Sequence, residues 1–289
     1  MLRCALTSVN VRQFGTGVAA WGVLSRPFML LARRADWQLP DGVSRGLWDY
    51  SQAPHIATEY DEYFSYNSLF EFDRALLERH FSRPGVLVDL GCGTGRLLMP
   101  FARRGFTAVG VDLSSSMLSE VGKKAAAAGV TIHRVLANLV DLGCLAENSA
   151  DYCICMFSTL GMIQGAAPRQ KVIAHARRIL KPGGRFVVHV HNRWYYLTDP
   201  QGRWWVLQNG VASLLGREQA GDKIANYRGI PNMRLHLFTA GELRRMLRRA
   251  GFRVIEWIPL DATRKRELRW PWIAGGCRAN GWIAVCEAV

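Results

Sequence analysis

The chain has 289 residues, of which 49% are hydrophobic and 21% charged. This length and composition exclude a disordered or low-complexity chain and are typical of one large globular domain. The formal net charge of +14 favours an anionic partner, namely nucleic acid, a phospholipid surface or an acidic substrate, without choosing among them. The cysteines show no paired spacing, and Cys153 with Cys155 alone makes no zinc site. We therefore expect a cytoplasmic protein with reduced thiols and no metal site.

Residues 1–47 are interpreted as a basic N-terminal extension, and residues 48–289 as the folded domain. The first 35 residues contain five arginines and no acid, and Arg26 and Pro27 divide their apolar content. No apolar run is long enough to span a bilayer. Three alternatives stay open for this segment: a flexible or core-docked extension, a membrane-surface segment, or a targeting peptide.

The domain begins with a helical pattern up to residue 81, after which strands and helices alternate. Strands are predicted at residues 86–90, 107–113, 131–138, 151–157, 185–192, 253–260 and 281–288. Helices are predicted from about 94 to 104, from Ser114 as N-cap to Gly129, after residue 167, and over 239–252, with a turn at "KPGG". The alternation predicts a doubly wound α/β fold, with a mostly parallel sheet covered by helices on both faces.

The stretch "VLVDLGCGTGRLL" places three glycines directly after the first predicted strand. Its order is Gly91-x-Gly93-x-Gly95, and Arg96 occupies the position of the third glycine in a dinucleotide fingerprint. Asp89 stands two residues before the first glycine, where its carboxylate would repel a pyrophosphate and attract a cationic amino group. The loop therefore predicts a positively charged ligand at the carboxyl end of the sheet.

Together with "GVDLS" and "RRILKPGGRFVV", this loop resembles the class I S-adenosylmethionine-dependent methyltransferases over roughly residues 48–289. The resemblance implies a Rossmann-like, seven-stranded sheet with an antiparallel last strand, and S-adenosylmethionine as cofactor. It implies that the first loop holds the methionine moiety, that Asp112 binds the ribose hydroxyls, and that the residues after the second and third strands flank the adenine. The cofactor residues so implied are Asp89, Gly91, Cys92, Gly93, Gly95, Asp112, Leu113, Met117, Asn138, Leu139 and Phe157.

Residues 193–238 are too many for a simple connection, and they leave the carboxyl end of the fifth strand. We interpret them as a substrate cap that acts with the "YD" helix around Tyr60, which resembles a cleft-covering helix of small-molecule methyltransferases. The aromatic side chains of this segment contact the acceptor or, alternatively, only pack the cap onto the domain. The predicted substrate residues are Tyr60, Ser158, Thr159, Trp194 and Tyr195.

His189 and His191 share one face of the fifth strand, and His191 is nearer the cleft. An ordinary histidine pKa near 6.5 suits a general base, so His191 is the candidate catalytic residue. The alternative is a histidine bonded within the sheet or the cap.

Three functions stay open at this point. The first is methyl transfer to an oxygen or nitrogen of a small-molecule or lipid-like acceptor, with peripheral membrane association through the basic N-terminus. The second is RNA (tRNA) methylation, because "RKRELRWPW" at 264–272 interleaves basic and aromatic residues. The third is binding of S-adenosylmethionine without catalysis.

Overall fold

The structure is a computed structural model that describes residues 34–63 and 69–289. Residues 1–33 of the predicted basic extension lie outside the described residues. The described strands are β1 (Val86–Leu90), β2 (Thr107–Asp112), β3 (Ile132–Leu136), β4 (Ala150–Cys155), β5 (Leu180–His191), β6 (Asp222–Tyr227), β7 (Ile230–His236), β8 (Phe252–Pro259) and β9 (Gly281–Ala288). The described helices are α1 (Arg45–Gln52), α2 (Pro54–Thr58), α3 (Tyr60–Tyr63), α4 (Leu69–His80), α5 (Leu98–Arg103), α6 (Ser115–Ala127), α7 (Thr159–Met162), α8 (Ala166–Ile179), α9 (Pro200–Leu214), α10 (Ala240–Arg249) and α11 (Gly275–Arg278).

Seven of these strands form one sheet in the order β3-β2-β1-β4-β5-β9-β8. The first five are parallel, and β9 runs antiparallel to both of its neighbours, β5 and β8. The predicted fold class, an α/β doubly wound, mostly parallel sheet with an antiparallel last strand, is confirmed. Because β1 is central and β4 lies beside it, the carboxyl ends of these strands open a crevice where the chain order reverses.

Both faces of the sheet are covered, which explains the unbroken hydrophobic runs of its strands. In β4, Cys153 and Cys155 belong to one buried cluster, whereas Tyr152 and Ile154 belong to the cluster on the opposite face. The two cysteines therefore share one face, as their spacing predicts, and pack as small apolar side chains.

Two predicted boundaries are wrong. The helix expected from about Thr94 begins at Leu98, because Gly93 and Gly95 have φ of +52° and +74°, which no right-handed helix contains. The "KPGG" segment is the beginning of β5 and not a separate turn. A register shift opposite Ala150 and Tyr152 of β4 accommodates it.

The segment predicted as a cap contains a 3-10 helix (Arg193–Thr198), α9 and the antiparallel β6–β7 hairpin. Helix α1 packs against β7 so closely that a Cβ on Gly46 would lie 2.6 Å from the carbonyl oxygen of Asn232. The predicted boundary between residues 47 and 48 falls inside α1, and Val43 and Ser44 before it are already buried. Among residues 34–63 and 69–289, no helix combines the length and the apolarity needed to cross a bilayer.

Candidate active site

A cavity of about 580 Å³ lies at the carboxyl ends of the parallel strands. One side, the loop side, is formed by Asp89, by Gly91 to Leu97 apart from Gly95, and by residues that follow β2 and β3. The other, the hairpin side, is formed by Tyr196 and the β6–β7 hairpin, together with His191, Arg264 and Asn280. The cavity thus joins the predicted cofactor loop to the predicted cap.

The loop after β1 is fixed by backbone bonds to the neighbouring strand. The N–H groups of Gly91 and Cys92 both donate to the carbonyl of Val111, at 2.8 and 3.0 Å. Gly91 has a φ of +84°, and a Cβ at this position would lie only 2.4 Å from Cγ2 of Thr159. Gly95 does not line the cavity; a Cβ there would meet Val121 at 3.1 Å, so this glycine allows the loop to pack on α6.

Asp112 lines the cavity and also ties the loop to the next helix. Its Oδ2 accepts the N–H of Gly93 and its Oδ1 accepts the N–H of Ser114, both at 2.8 Å. Burial raises the pKa of this carboxyl, and the backbone donors oppose that rise. A carboxylate oxygen accepts more than one hydrogen bond, so Asp112 retains capacity toward the cavity.

Asp89 is a buried carboxyl that faces the same cavity. Burial, followed by the nearby negative charge of Asp112, raises its pKa to about 8. Within the described residues no protein group donates a hydrogen bond to its side chain. An unpartnered buried carboxyl is costly, and a cationic group in the cavity would relieve that cost.

Side-chain hydrogen bonds hold the N-terminal helices α1 and α3 over the loop side. Ser114 Oγ donates to the carbonyl of Ser51 at 2.7 Å, and Asp61 accepts from Thr94 Oγ1 at 2.7 Å and from Lys124 Nζ at 2.6 Å. The ring of Tyr60 lies against the loop, 3.9 Å from where a Cβ of Gly93 would stand. Burial raises the pKa of the Tyr60 hydroxyl, which keeps it protonated as a donor.

The residues predicted around the adenine, Leu113, Met117, Asn138 and Leu139, all line the cavity. The side chain of Asn138 is partly engaged, because its Nδ2 donates to the carbonyl of Asp41 at 2.8 Å and its Oδ1 accepts from Val140 N–H at 3.2 Å. Its oxygen keeps one lone pair for a further donor.

His191 lines the cavity on the hairpin side, with its Nδ1 3.3 Å from Oδ1 of Asn280. Burial and then the positive charge of Arg264 lower its pKa to about 4. The imidazole is therefore neutral at pH 7 but is a weak base. His189 is fully buried and does not line the cavity, and burial lowers its pKa as well.

The predicted substrate residues separate into two groups. Tyr60 and Thr159 line the cavity with Phe157. Ser158 and Trp194 do not: the buried Ser158 instead accepts the backbone N–H of His191 at 3.3 Å, and Trp194 lies beside the guanidinium of Arg193.

Tyr195 lines a smaller side cavity of about 200 Å³, whereas its neighbour Tyr196 lines both cavities. The 3-10 helix therefore directs Tyr196, and not the predicted Tyr195, toward the main cavity. Three consecutive aromatic residues in the sequence do not indicate which of them faces the cavity.

The hairpin side has three cationic residues, Lys223, Arg234 and Arg264. The first two were not predicted, and Arg264 was predicted as part of an RNA-binding stretch and not as a cavity residue. The ammonium of Lys223 stands 3.8 Å from the ring centroid of Tyr196. Arg264 pairs with the buried Asp73 at 3.0 Å and lies 4.2 Å from the ring of Phe157. Sequence reasoning also missed the wall before residue 48, where Val43 and Leu47 line the cavity.

Comparison with curated proteins gives partial matches. The ubiquinone biosynthesis O-methyltransferase of Caulobacter vibrioides is 31% identical over 126 residues, which are 44% of this chain and 48% of that protein. This chain spans about half the length of the curated relatives it matches.

Two solved structures are similar in fold. The CcbJ methyltransferase of Streptomyces caelestis has a TM-score of 0.59 at 21% identity, covering 83% of this chain and 99% of that one. The 1,6-didemethyltoxoflavin-N1-methyltransferase of Burkholderia thailandensis, solved with 1,6-didemethyltoxoflavin and S-adenosylhomocysteine, has a TM-score of 0.53 at 19% identity, covering 81% and 84%.

The methyltransferase domain family matches residues 62–256, which is more than half of the chain. That range contains β1 with its glycine loop and all five parallel strands β1 to β5 of the central sheet. The chain belongs to the class I S-adenosylmethionine-dependent methyltransferases.

Proposed function

We propose that the protein transfers a methyl group to an oxygen or nitrogen atom of a small-molecule or lipid-like acceptor. The observation that carries this proposal is the single cavity shared by the glycine loop and the β6–β7 hairpin. Its volume of about 580 Å³ is that of a small-molecule site. The hairpin side would take the acceptor, and the loop side would take the cofactor.

The residues on the loop side fit S-adenosylmethionine. The unpartnered carboxyl of Asp89 suits an ammonium group, and Asp112 retains acceptor capacity for hydroxyl donors. The absence of a Cβ at Gly93 leaves room beside Tyr60. We therefore assign the cofactor to these residues together with Leu113, Met117 and Asn138.

When bound, the cofactor supplies a methyl group made electrophilic by a sulfonium sulfur. The chain contributes orientation, because methyl transfer depends on holding the acceptor atom in line with that methyl. Hydrogen bonds of Asp61 and Ser114 hold the N-terminal helices over the loop side. The lowered pKa of His191 makes it too weak a base to remove a proton from the acceptor. Its neutral imidazole would instead orient the acceptor by accepting a hydrogen bond from it.

The lipid-like form of the acceptor has support from α9. Exposed apolar side chains recur along it at positions 204, 207, 211 and 214, which is helical spacing, and Leu214 is 89% exposed. We propose a cytoplasmic protein that associates peripherally with membranes through this face. Co-flotation with phosphatidylcholine vesicles containing phosphatidylglycerol, lost in a Leu207→Ser/Leu214→Ser variant, would support this; no flotation of the wild type would contradict it.

RNA as the acceptor has weaker support from the 264–272 stretch. Arg264 is buried against Asp73, and Arg266 Nε donates to Asp261 at 2.8 Å. Arg264 and Leu268 are the buried residues of the stretch, and its other residues, including Trp270 and Trp272, are exposed. The shared cavity, at about 580 Å³, has the size of a small-molecule site, which suits a small molecule better than a folded RNA.

The test is transfer of labelled methyl groups from S-adenosylmethionine in the presence of fractionated cell extract. Label in the organic or small-molecule fraction supports the proposal, and label in RNA supports the alternative. Cofactor binding without label in any fraction supports a non-catalytic protein. Asp112→Ala is the matched control, because it should lose label in every fraction through weaker cofactor binding.

A further inference from the structure

We propose that the acceptor carries an acidic group, a carboxylate or a phosphate, and that Arg264 binds it. This inference rests on the proposed function and narrows its acceptor to an organic anion. It begins from the distribution of charge around the cavity, which is uneven.

Both carboxyl groups that line the cavity among the described residues, Asp89 and Asp112, belong to the loop side. The hairpin side has three cations, Lys223, Arg234 and Arg264, and no carboxylate of the described chain lines it. Within residues 34–63 and 69–289, neither Lys223 nor Arg234 forms an ion pair. Of the three cations, Arg264 alone has a carboxylate partner in the described chain, Asp73, so the charges of Lys223 and Arg234 are unbalanced and an anionic ligand would balance them.

Arg264 is the cation best suited to bind such a ligand, because its position is fixed. It is only 7% exposed, although most arginines lie at the surface. Asp73, which is fully buried, accepts from its Nη2 at 3.0 Å, and the ring of Phe157 stands 4.2 Å from its Cζ. An arginine held on two sides loses little freedom on binding a ligand.

The hydrogen bond with Asp73 leaves other N–H donors of the Arg264 guanidinium unoccupied. Arginine carries five N–H donors in a planar fork that matches a carboxylate or a phosphate, and Asp73 takes only one bond. The Nε atom of Arg264 is enclosed without a hydrogen-bond partner, so the donors that remain for a ligand are those of the two terminal nitrogens. Asp73 thus keeps the guanidinium charged and oriented, while other donors are left for the cavity.

The backbone at Arg264 supports a ligand-binding role. Its φ is +60°, a conformation that a long side chain rarely adopts. Strain of this kind persists where the surrounding fold imposes it, and it concentrates at ligand sites. Here Asp261 imposes it, because its Oδ1 accepts from the N–H and the hydroxyl of Thr263, and its carbonyl accepts from the N–H of Arg264.

The position of Arg264 is also close to the expected reaction site. Its charge contributes to the lowered pKa of His191, which lines the same side of the cavity. Phe157, on which the guanidinium lies, follows β4 and stacks on Phe70 with centroids 4.6 Å apart. An acid held by Arg264 would therefore place its organic body among Phe157, Tyr60 and His191.

The experiment compares matched acid and neutral probes on protein saturated with S-adenosylhomocysteine. We choose 3,4-dihydroxybenzoate, 3,4-dihydroxybenzamide and phenyl phosphate, with binding measured by saturation-transfer NMR and calorimetry. Wild type should bind at least one acid about tenfold or more tightly than the amide, as expected for a charge-assisted bond. Preference for the benzoate identifies a carboxylate site, and preference for phenyl phosphate identifies a phosphate site.

Arg264→Gln should remove the preference, and Lys265→Gln, an exposed neighbour, should keep it. Because Arg264→Gln leaves Asp73 buried and unpaired, the double variant Asp73→Asn/Arg264→Gln gives the same test without the orphaned charge. Equal binding of acid and amide, no binding of either acid at millimolar concentration, or a preference that survives both variants would overturn the inference. If S-adenosylhomocysteine itself does not bind, the proposed function fails instead.

Discussion

Replacing Asp89 with asparagine should remove the pH dependence of cofactor affinity between pH 5.5 and 7.5. In the free protein, burial and the neighbouring Asp112 raise the pKa of Asp89 to about 8, so the carboxyl holds its proton at neutral pH. A bound ammonium group favours the ionised form. Binding should therefore release a proton, and affinity should increase as the pH rises toward 8.

The magnitude follows from the ionised fraction of Asp89. With a pKa of about 8, this fraction rises from about 0.3% at pH 5.5 to about 24% at pH 7.5, which sets an upper limit of roughly 80-fold on the gain in affinity. The α-amino group of the ligand stays largely protonated in this range, because its ordinary pKa is about 7.7 to 8.0. Asp89→Asn should show a nearly constant affinity.

The assay is calorimetric titration with S-adenosylhomocysteine in two buffers of different ionisation enthalpy. Wild type should release close to one proton at pH 6.5, and Asp89→Asn should release none. Asp141→Asn, which replaces an exposed carboxylate outside the cavity, is the control and should behave as wild type. The same pH dependence in Asp89→Asn and wild type would refute the reasoning.

Ionisation of Asp89 should favour cofactor binding but lower the stability of the free protein. The pKa of Asp89 is raised above the unfolded value of about 3.9, so its contribution to the free energy of unfolding is greatest below about pH 4 and falls as the pH rises through about 8. Asp89→Asn should therefore unfold at a higher temperature than wild type at pH 7.5 in the absence of ligand, with a smaller difference at pH 5. A lower melting temperature at both pH values would contradict this.

Three further predictions concern other cavity residues. Asp112→Ala should weaken S-adenosylhomocysteine binding at least about tenfold, and an unchanged Kd would remove Asp112 from the site. Gly91→Ala should abolish binding and lower the denaturant midpoint more than Gly105→Ala, which has a similar φ of +82° but no atom within 4 Å; equal effects would refute the contact with Thr159. The methyl-transfer rate should show no titration of His191 above pH 5.5, and a midpoint near 6.5 that His191→Asn removes would restore the general base.

The loop side could be predicted from sequence because its residues stand at fixed offsets from strand ends. Asp89 and Gly91 straddle the end of β1, and Asp112 ends β2, so the parallel pairing of these strands brings them together. What sequence could not show is that Asp112 already binds Gly93 and Ser114, and that Asp89 has no such donor. These differences depend on side-chain direction and burial, which no local pattern encodes.

The hairpin side could not be predicted, because its residues come from loops far apart in the chain. Lys223 lies on β6 of a hairpin whose place depends on packing against α1, and Arg264 precedes β9 in a basic stretch that resembles a solvated surface. The partner that buries Arg264 is Asp73, 191 residues earlier on α4. Likewise, the sequence predicts that an aromatic side chain of the insertion lines the cavity, and one does. The residue is Tyr196, however, and not the predicted Trp194 or Tyr195.

The charges of the hairpin side also bear on which acceptor atom is methylated. An alkylamine acceptor is protonated at neutral pH unless a base removes its proton, and His191, with a pKa of about 4, is too weak to do so. Lys223, Arg234 and Arg264 would in addition repel an ammonium group, whereas they would lower the pKa of an acceptor hydroxyl and stabilise its anion. We therefore expect an oxygen acceptor in preference to an alkylamine nitrogen. The labelled products should be methyl ethers, which survive alkali, or methyl esters, which alkali hydrolyses. Label found only in alkylamines would contradict this expectation.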